Sequence, residues 1–210
     1  PITLSALGAL GLTVGVGQVL PTQVSRPLNV AASPVTITIT RNGTNSTSDA
    51  EIPLASGENV RGYVLSGRTV GTDTLVLSAP GYGADTARIH VTEGRVTLRM
   101  GPGSGPPGQI RVGDSVAVYL TTEDSTGTLR MVADATPFGL SASAGISFSD
   151  GTRPVGEVAV PASAAISPRF FLKGRAPGSA TVTVWNLDYA TYTIVVNVIS
   201  AASLASSAAP

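Results

Sequence analysis

Residues 67–91 and 174–198 carry the same pattern, and that self-similarity constrains the fold more than any other feature of the chain. Gly67-Arg68-Thr69-Val70-Gly71-Thr72-Asp73-Thr74-Leu75-Val76-Leu77 lines up with Gly174-Arg175-Ala176-Pro177-Gly178-Ser179-Ala180-Thr181-Val182-Thr183-Val184 at an offset of 107. The alignment runs without a gap to Val91 and Val198. Identities fall at Gly67, Arg68, Gly71, Thr74, Tyr82, Thr86 and Val91, seven in 25 positions, where a biased composition gives roughly two by chance. Apolar character is kept at Leu75/Val182, Leu77/Val184 and Ile89/Val196. A 210-residue chain with this repeat is two copies of one unit, each of about 100 residues.

The repeat also says how each copy folds. Leu75 and Leu77 alternate with Thr74 and Val76, the period of two that sends one set of side chains to an inner face. A turn follows, Ala79-Pro80-Gly81-Tyr82-Gly83 in the first copy and Asn186-Leu187-Asp188-Tyr189 in the second. Ala87-Arg88-Ile89-His90-Val91 and Ile194-Val195-Val196-Asn197-Val198 then alternate again, so each copy closes on a hairpin. Gly71 and Gly178 stand before the first strand of the pair, where a turn requires positive φ. Tyr82 and Tyr189 hold equivalent positions and read as rings capping the core.

Upstream, Val35-Thr36-Ile37-Thr38-Ile39-Thr40 is a β-branched alternating strand, and Asn42-Gly43 after it is a hairpin-turn signal. In the second copy Ser115–Leu120 runs to the polar turn Glu123-Asp124-Ser125-Thr126-Gly127 and returns through Leu129 to Val132. No segment shows an apolar stripe of helical period and length. Residues 1–25 carry no charged side chain, but Gly8, Gly11, Gly15, Gly17, Thr13 and Gln18 dilute the roughly 20 apolar residues a spanning helix needs. Leu12–Val16 reads instead as a first strand. The chain opens at Pro1 with no basic stretch ahead of the apolar run, as after removal of a leader or in a piece of something longer. The expected organisation is all-β, with one sandwich domain over residues 1–94, a second over 95–200 and a low-complexity tail over 201–210. The Pro/Gly stretch from Gly101 to Gly108 is a competing boundary, or a kink in an edge strand.

The stretches Val70–Tyr82 and Ala176–Val184 resemble the final strands of bacterial immunoglobulin-like tandem repeats, the modules of invasin- and intimin-type surface proteins. The resemblance covers the last 40 or so residues of each copy well and the first half loosely. It implies two tandem immunoglobulin-like β-sandwich domains outside the cytoplasm, in the periplasm or at the cell surface, serving as spacer or adhesive modules. The vertebrate Cys–Trp–Cys core is absent, since the chain has no cysteine.

Chemistry is thin along the chain. Thirteen basic and thirteen acidic residues balance to zero, which argues against a nucleic-acid partner. The lack of cysteine removes disulfides, thiolate metal sites and cysteine nucleophiles. His90 is the sole histidine; alternation points it outward, and a catalytic or metal role needs companions it lacks. Glu123 and Asp124 sit in a turn, Asp85 and Asp188 in the closing hairpins, and read as solvated turn residues; Glu93 with a loop aspartate is the alternative, a calcium site at the junction of the domains. Asn42-Gly43-Thr44 and Asn45-Ser46-Thr47 match the glycosylation sequon, and in a bacterial-type chain they read as turn sequence. No nucleophile elbow and no P-loop occur. No enzyme, no cofactor and no small-molecule substrate is expected, and membrane contact only indirectly.

What remains is a difference between the copies. Outward positions of the first closing hairpin are Thr74, Val76, Ser78, Arg88, His90 and Thr92; the second has Thr181, Thr183, Trp185, Val195, Asn197 and Ile199. Exposed apolar area marks interaction sites and Trp is enriched among binding hot spots, so Trp185, Val195 and Ile199 are the expected partner-binding residues. The function expected is a non-catalytic structural or binding module, a tandem spacer or adhesive segment of a bacterial surface protein. The alternative is an accessory structural subunit bracing a larger membrane-bound envelope complex through protein–protein contacts. A carbohydrate-binding appendage or enzyme fragment would need an aromatic groove, and only 5% of the chain is aromatic.

Overall fold

The computed structural model describes residues 3–6, 12–27, 33–47, 49–100 and 106–200; the expected tail over 201–210 lies outside them. The chain forms two immunoglobulin-like β-sandwiches, with no helix among the described residues. Among the described residues, one compact unit comprises those within 3–94 together with 124–133, the other those within 95–123 and 134–200. No helix is long and apolar enough to cross a membrane among the described residues.

In the first unit β1 (Thr3–Ala6), β2 (Thr13–Gly15), β3 (Gln18–Ser25), β4 (Val35–Asn42), β5 (Ala50–Leu54), β6 (Val60–Ser66), β7 (Gly71–Ser78) and β8 (Asp85–Thr92) make two layers. β3 lies between β6 on one side and β1 on the other; the facing sheet runs β2-β8-β7-β4-β5. Alternation does the sorting: Leu20, Val24, Ile37, Ile39, Leu65, Leu75, Leu77, Ile89 and Val91 point inward from both sheets and form one buried cluster. Their burial, at about 25 cal/mol per Å² of apolar surface removed from water, is the main force holding the layers together.

The second unit contains β9 (Gly94–Arg99, from its second residue), β10 (Gln109–Arg111), β11 (Ser115–Glu123), β13 (Thr136–Ala142), β14 (Ile146–Ser149), β15 (Glu157–Val160), β16 (Phe170–Gly174), β17 (Gly178–Asn186) and β18 (Tyr189–Ile199); β12 (Met131–Val132) belongs to the first unit. β11 serves both layers. Its first half pairs with β16, Ser115 opposite Lys173, and its second half with β9, Tyr119 opposite Arg99. The sheet continues β9-β18-β17-β13-β15 on one side and β16-β14 on the other. Phe138, Phe170, Leu120, Leu172, Val182, Val184 and Val196 fill the core. Tyr189 caps it with its ring edge-on to Phe138, centroids 4.9 Å apart.

The repeat has a backbone explanation. Gly71 faces Val91 across the first closing hairpin and Gly178 faces Val198 across the second, and both glycines have positive φ, 155° and 133°. Gly67 and Gly174 are required for a different reason. A Cβ on Gly67 would stand 2.3 Å from the carbonyl oxygen of Gly15, and one on Gly174 2.4 Å from that of Arg111. At these two points another segment crosses against the strand backbone, bridging Val16 to Gly67 and Val112 to Gly174. Gly17 N–H donates to Gly67 C=O at 3.1 Å, and Gly113 N–H to Gly174 C=O at 2.9 Å. Val16-Gly17-Gln18 and Val112-Gly113-Asp114 are thus one further pair of equivalent turns.

Two expectations are corrected here. Asn42-Gly43 is not a two-residue hairpin: β4 and β5 stay paired only from Val35–Leu54 to Ile39–Ala50, while β4 runs on to place Asn42 opposite Thr74 of β7. The loop between β4 and β5 is wide because it wraps a buried carboxylate, described below. The segment after Glu123 does not return along β11 within the second unit. It crosses into the first, where Met131 pairs with Val19 and Val132 with Gln18 at the edge of β3. Val132 is fully buried there, and Ala133 N–H donates to Gly17 C=O at 2.8 Å.

Candidate functional site

The expected partner-binding residues lie on the outer layer of the second unit, on the hairpin β17–β18. Inward Val182, Val184, Val196 and Val198 fix the phase, leaving Thr181, Thr183, Trp185, Val195 and Asn197 on the outer side. Trp185 is 51% exposed and Val195 55%; Ile199 is half-buried. β17 keeps its alternation through Trp185. The register shifts between Val184 and Asn186, where Ala190 and Thr191 of β18 stand against the single residue Trp185, the two-against-one count of a bulge in β18.

The structure does not gather the three residues into one patch. Val195 stands opposite Thr181, and Ile199 lies one residue beyond Val198, which stands opposite Gly178. At about 3.4 Å per residue, Trp185 to Val195 spans roughly 13 Å along the hairpin and Ile199 lies a similar distance further. Thr183 and Thr193 fill the first interval, and the Ser179–Asn197 hydrogen bond of 2.9 Å lies in the second. Ile199 pairs with Arg111 of β10 and borders a polar groove lined also by Gln109, Asp114 and Ser115. The expected row of anchors is therefore three separate apolar points on a polar strand, with the largest at one end.

That end has a construction the sequence reading missed. Gly139 of β13 lies opposite Trp185, and a Cβ there would stand 2.3 Å from the indole Cε2. The ring lies on the glycine, filling the space a side chain would take. Glu157 is the next residue across the sheet, opposite Gly139. At the hairpin tip Leu187 is 97% exposed. Asn186 pins that tip, its Nδ2 donating to Pro137 C=O at 2.7 Å while its Oδ1 accepts from Asp188 N–H at 2.9 Å. A glycine between Phe138 and Leu140 inside a strand was the available signal, since such glycines mark a close approach.

The other residues weighed in the sequence are placed as follows. His90 is exposed, with Nδ1 3.1 Å from Thr72 Oγ1. Among the described residues no group of three or more His, Asp or Glu side chains converges as a metal site would require. Glu123 and Asp124 are not the solvated turn carboxylates expected but buried ones. Glu123 meets Arg99 at 2.6 Å beside Thr97 and Thr121. Asp124 takes Arg130 on one oxygen, at 2.9 and 2.8 Å, while its other accepts from Thr126 and Thr128. These contacts turn the charges into local fasteners.

Asp73 is the third such carboxylate. It is fully buried at the inward phase of β7. Oδ2 accepts from Ser46 N–H and Oγ, both at 2.7 Å; Oδ1 accepts from Asn45 N–H at 3.2 Å and Nδ2 at 2.8 Å. Burial works to raise its pKa, but the hydrogen bonds from Ser46 and Asn45 outweigh it and hold the group below the ordinary carboxylate value. Gly43, with φ 126°, leaves the space into which the carboxylate projects. One sequon asparagine, Asn45, is thereby committed to holding the loop, its Oδ1 also accepting from Thr69 Oγ1 at 3.0 Å.

No family model matches the chain, and no curated protein sequence does. Among solved structures it is similar to the D0-D1 domain of intimin, at 12% identity and TM-score 0.37, over 94% of this chain and 97% of that one. It is similar to fibronectin(III)-like modules of CbhA from Clostridium thermocellum, at 13% identity and TM-score 0.28, over 96% of this chain and 95% of that one. A β-glycosidase from Bacteroides vulgatus matches at 10% identity and TM-score 0.39, this chain covering 24% of the enzyme's length.

Proposed function

We propose that the chain is a non-catalytic structural and binding module, a tandem immunoglobulin-like spacer or adhesive segment of a bacterial surface protein. The observation that carries this reading is the contrast between constant interior and varied exterior in the two hairpins. β7–β8 and β17–β18 keep one register and one inward set, whereas Ser78, Arg88 and Thr92 outside become Trp185, Val195 and Ile199. A frame kept while its surface changes suits a scaffold whose outer residues select partners. The partner on the second unit is a protein, and Trp185 is its principal anchor. A rigid indole seated on Gly139 and flanked by Leu187 gives a large contact with little side-chain entropy to lose. Val195 and Ile199 extend the footprint along the strand as secondary contacts. The extracytoplasmic placement rests on the resemblance of Val70–Tyr82 and Ala176–Val184 to surface repeats.

The same exposed indole also suits an accessory subunit docked on a larger envelope complex. One experiment addresses both readings: tryptophan emission of the free chain, then of intact parent cells' envelope fraction containing it. Red-shifted, iodide-quenchable emission in the free chain, with a Trp185→Ser chain released from the envelope fraction, agrees with the proposal. Blue-shifted, unquenchable emission, or recovery of the native chain in the cytoplasmic fraction, overturns it.

A further inference from the structure

We propose that the outer edge of β6 is a strand-addition site, which takes an extended segment of a partner polypeptide running antiparallel to β6 with an apolar side chain at every second position. The inference starts from the equivalence of β6 and β16. Each pairs antiparallel with the long third strand of its sandwich, β3 or β11, and each runs into the crossing glycine, Gly67 or Gly174. Beyond β16 the chain supplies β14, with Phe148 opposite Leu172 and Ser149 opposite Phe171. Beyond β6 no strand is paired among the described residues.

The side chains record the difference. At the repeat offset Tyr63 corresponds to Phe170, Val64 to Phe171 and Leu65 to Leu172. Phe170 is buried, with the Phe148 ring of β14 6.4 Å away, and Phe171 is half-buried. Tyr63 is only half-buried, and Val64 and Val60 are 54% and 44% exposed. The first unit is thus uncovered where β14 covers the second.

Edge strands are normally guarded by lysine, proline, inward charge or a bulge. β6 has no lysine and no proline. Its one charge, Arg61, stands at the inward phase opposite Val24, near the start of the strand, and is neutralised by Glu58 through two hydrogen bonds of 2.8 Å. Its one glycine, Gly62, has open space where a side chain would stand. The chemistry of the occupant is read from β14, whose Ile146 and Phe148 point inward and are buried while Ser147 and Ser149 alternate with them. A segment of that type would add main-chain hydrogen bonds along β6 and lay its aromatic residue over Tyr63. A second copy's β6 would add main-chain hydrogen bonds but lay no aromatic residue over Tyr63, because its inward side chains, Leu65 among them, are already packed in its own core.

The test uses the full chain and a synthetic peptide of residues 144–150, which contains the β14 sequence. Amide exchange and chemical shifts are followed residue by residue as peptide is added. Expected are slowed exchange at alternate residues of β6, by about tenfold or more at saturation, and no effect from a peptide with Ile146→Asp and Phe148→Asp. Val64→Lys in the protein should weaken the effect by about tenfold, as a guarded edge does, while leaving the β7 and β8 amides protected. Unchanged exchange along β6 at millimolar peptide, or a response confined to β16, overturns the proposal. Protection of β6 that rises with protein concentration alone overturns the choice of occupant in favour of a second copy.

Discussion

Removing the Asp73 carboxylate should loosen the first unit and leave the second untouched. In Asp73→Ala four donors lose their acceptor. Ser46 is fully buried, so its backbone N–H is left without an acceptor at a cost of about 1–3 kcal/mol. Asn45 is part-exposed; its side chain can turn to water and its backbone N–H adds about 1 kcal/mol. Ser46 Oγ can rotate, so the sum is about 3 kcal/mol. Native-state hydrogen exchange of the β4 and β7 amides reports it directly, with fluorescence of Trp185 in the second unit as internal control. The pH dependence has a definite sign. The folded carboxyl titrates below its unfolded value, near 3.9. Its contribution is therefore full above about pH 4 and is lost as pH falls through the folded value. Asp73→Asn should lack that component of acid sensitivity. A change below about 0.5 kcal/mol in Asp73→Ala, the range of an ordinary surface site, would refute the assignment of these hydrogen bonds as the clasp of the β4–β5 loop.

Four further outcomes follow from single contacts. Gly67→Ala and Gly174→Ala drive a Cβ into a backbone carbonyl and should each cost about 2–3 kcal/mol, whereas Gly83→Ala, with open space around it, should stay within about 0.5 kcal/mol; urea titration compares them. Gly139→Ala should displace the Trp185 ring, seen as altered iodide quenching and emission, with little loss of stability because the ring can swing into solvent. Arg130→Ala strands the buried Asp124 and should cost about 3 kcal/mol, measured by exchange of the Val132 amide. His90→Ala should stay within about 0.5 kcal/mol, since the ring is exposed and touches Thr72; a larger loss in urea would contradict the outward assignment.

Where the sequence repeats, it was informative about structure down to register. The alternation through Leu75, Leu77 and Ile89 set the faces on which His90 and Trp185 stand, and Gly71 and Gly178 take the positive φ read from their place. The same phase that puts Leu75 and Leu77 inside puts Asp73 inside, so that buried carboxylate was readable and was passed over. Val16-Gly17 and Val112-Gly113 escaped because 51 residues separate Val16 from Gly67 but 62 separate Val112 from Gly174, and a fixed offset cannot span the difference. Most of that excess is the excursion over 124–133. A strand of two residues has no periodicity, and pairing of Met131 with Val19 is long-range information that local sequence does not hold. The scatter of Trp185, Val195 and Ile199 follows from counting: outward residues four apart on one strand stand roughly 13 Å apart, and polar neighbours lie between them.

The chain path makes the first sandwich depend on residues 124–133, which follow the opening strands of the second. Nuclear Overhauser contacts in the full chain, isotopically labelled, decide it. The structure requires cross-strand contacts from Met131 to Val19 and from Val132 to Gln18, together with a protected Ala133 amide bonded to Gly17. Contacts from Met131 and Val132 to β11 in their place, as in a simple hairpin returning within the second unit, would contradict the architecture described.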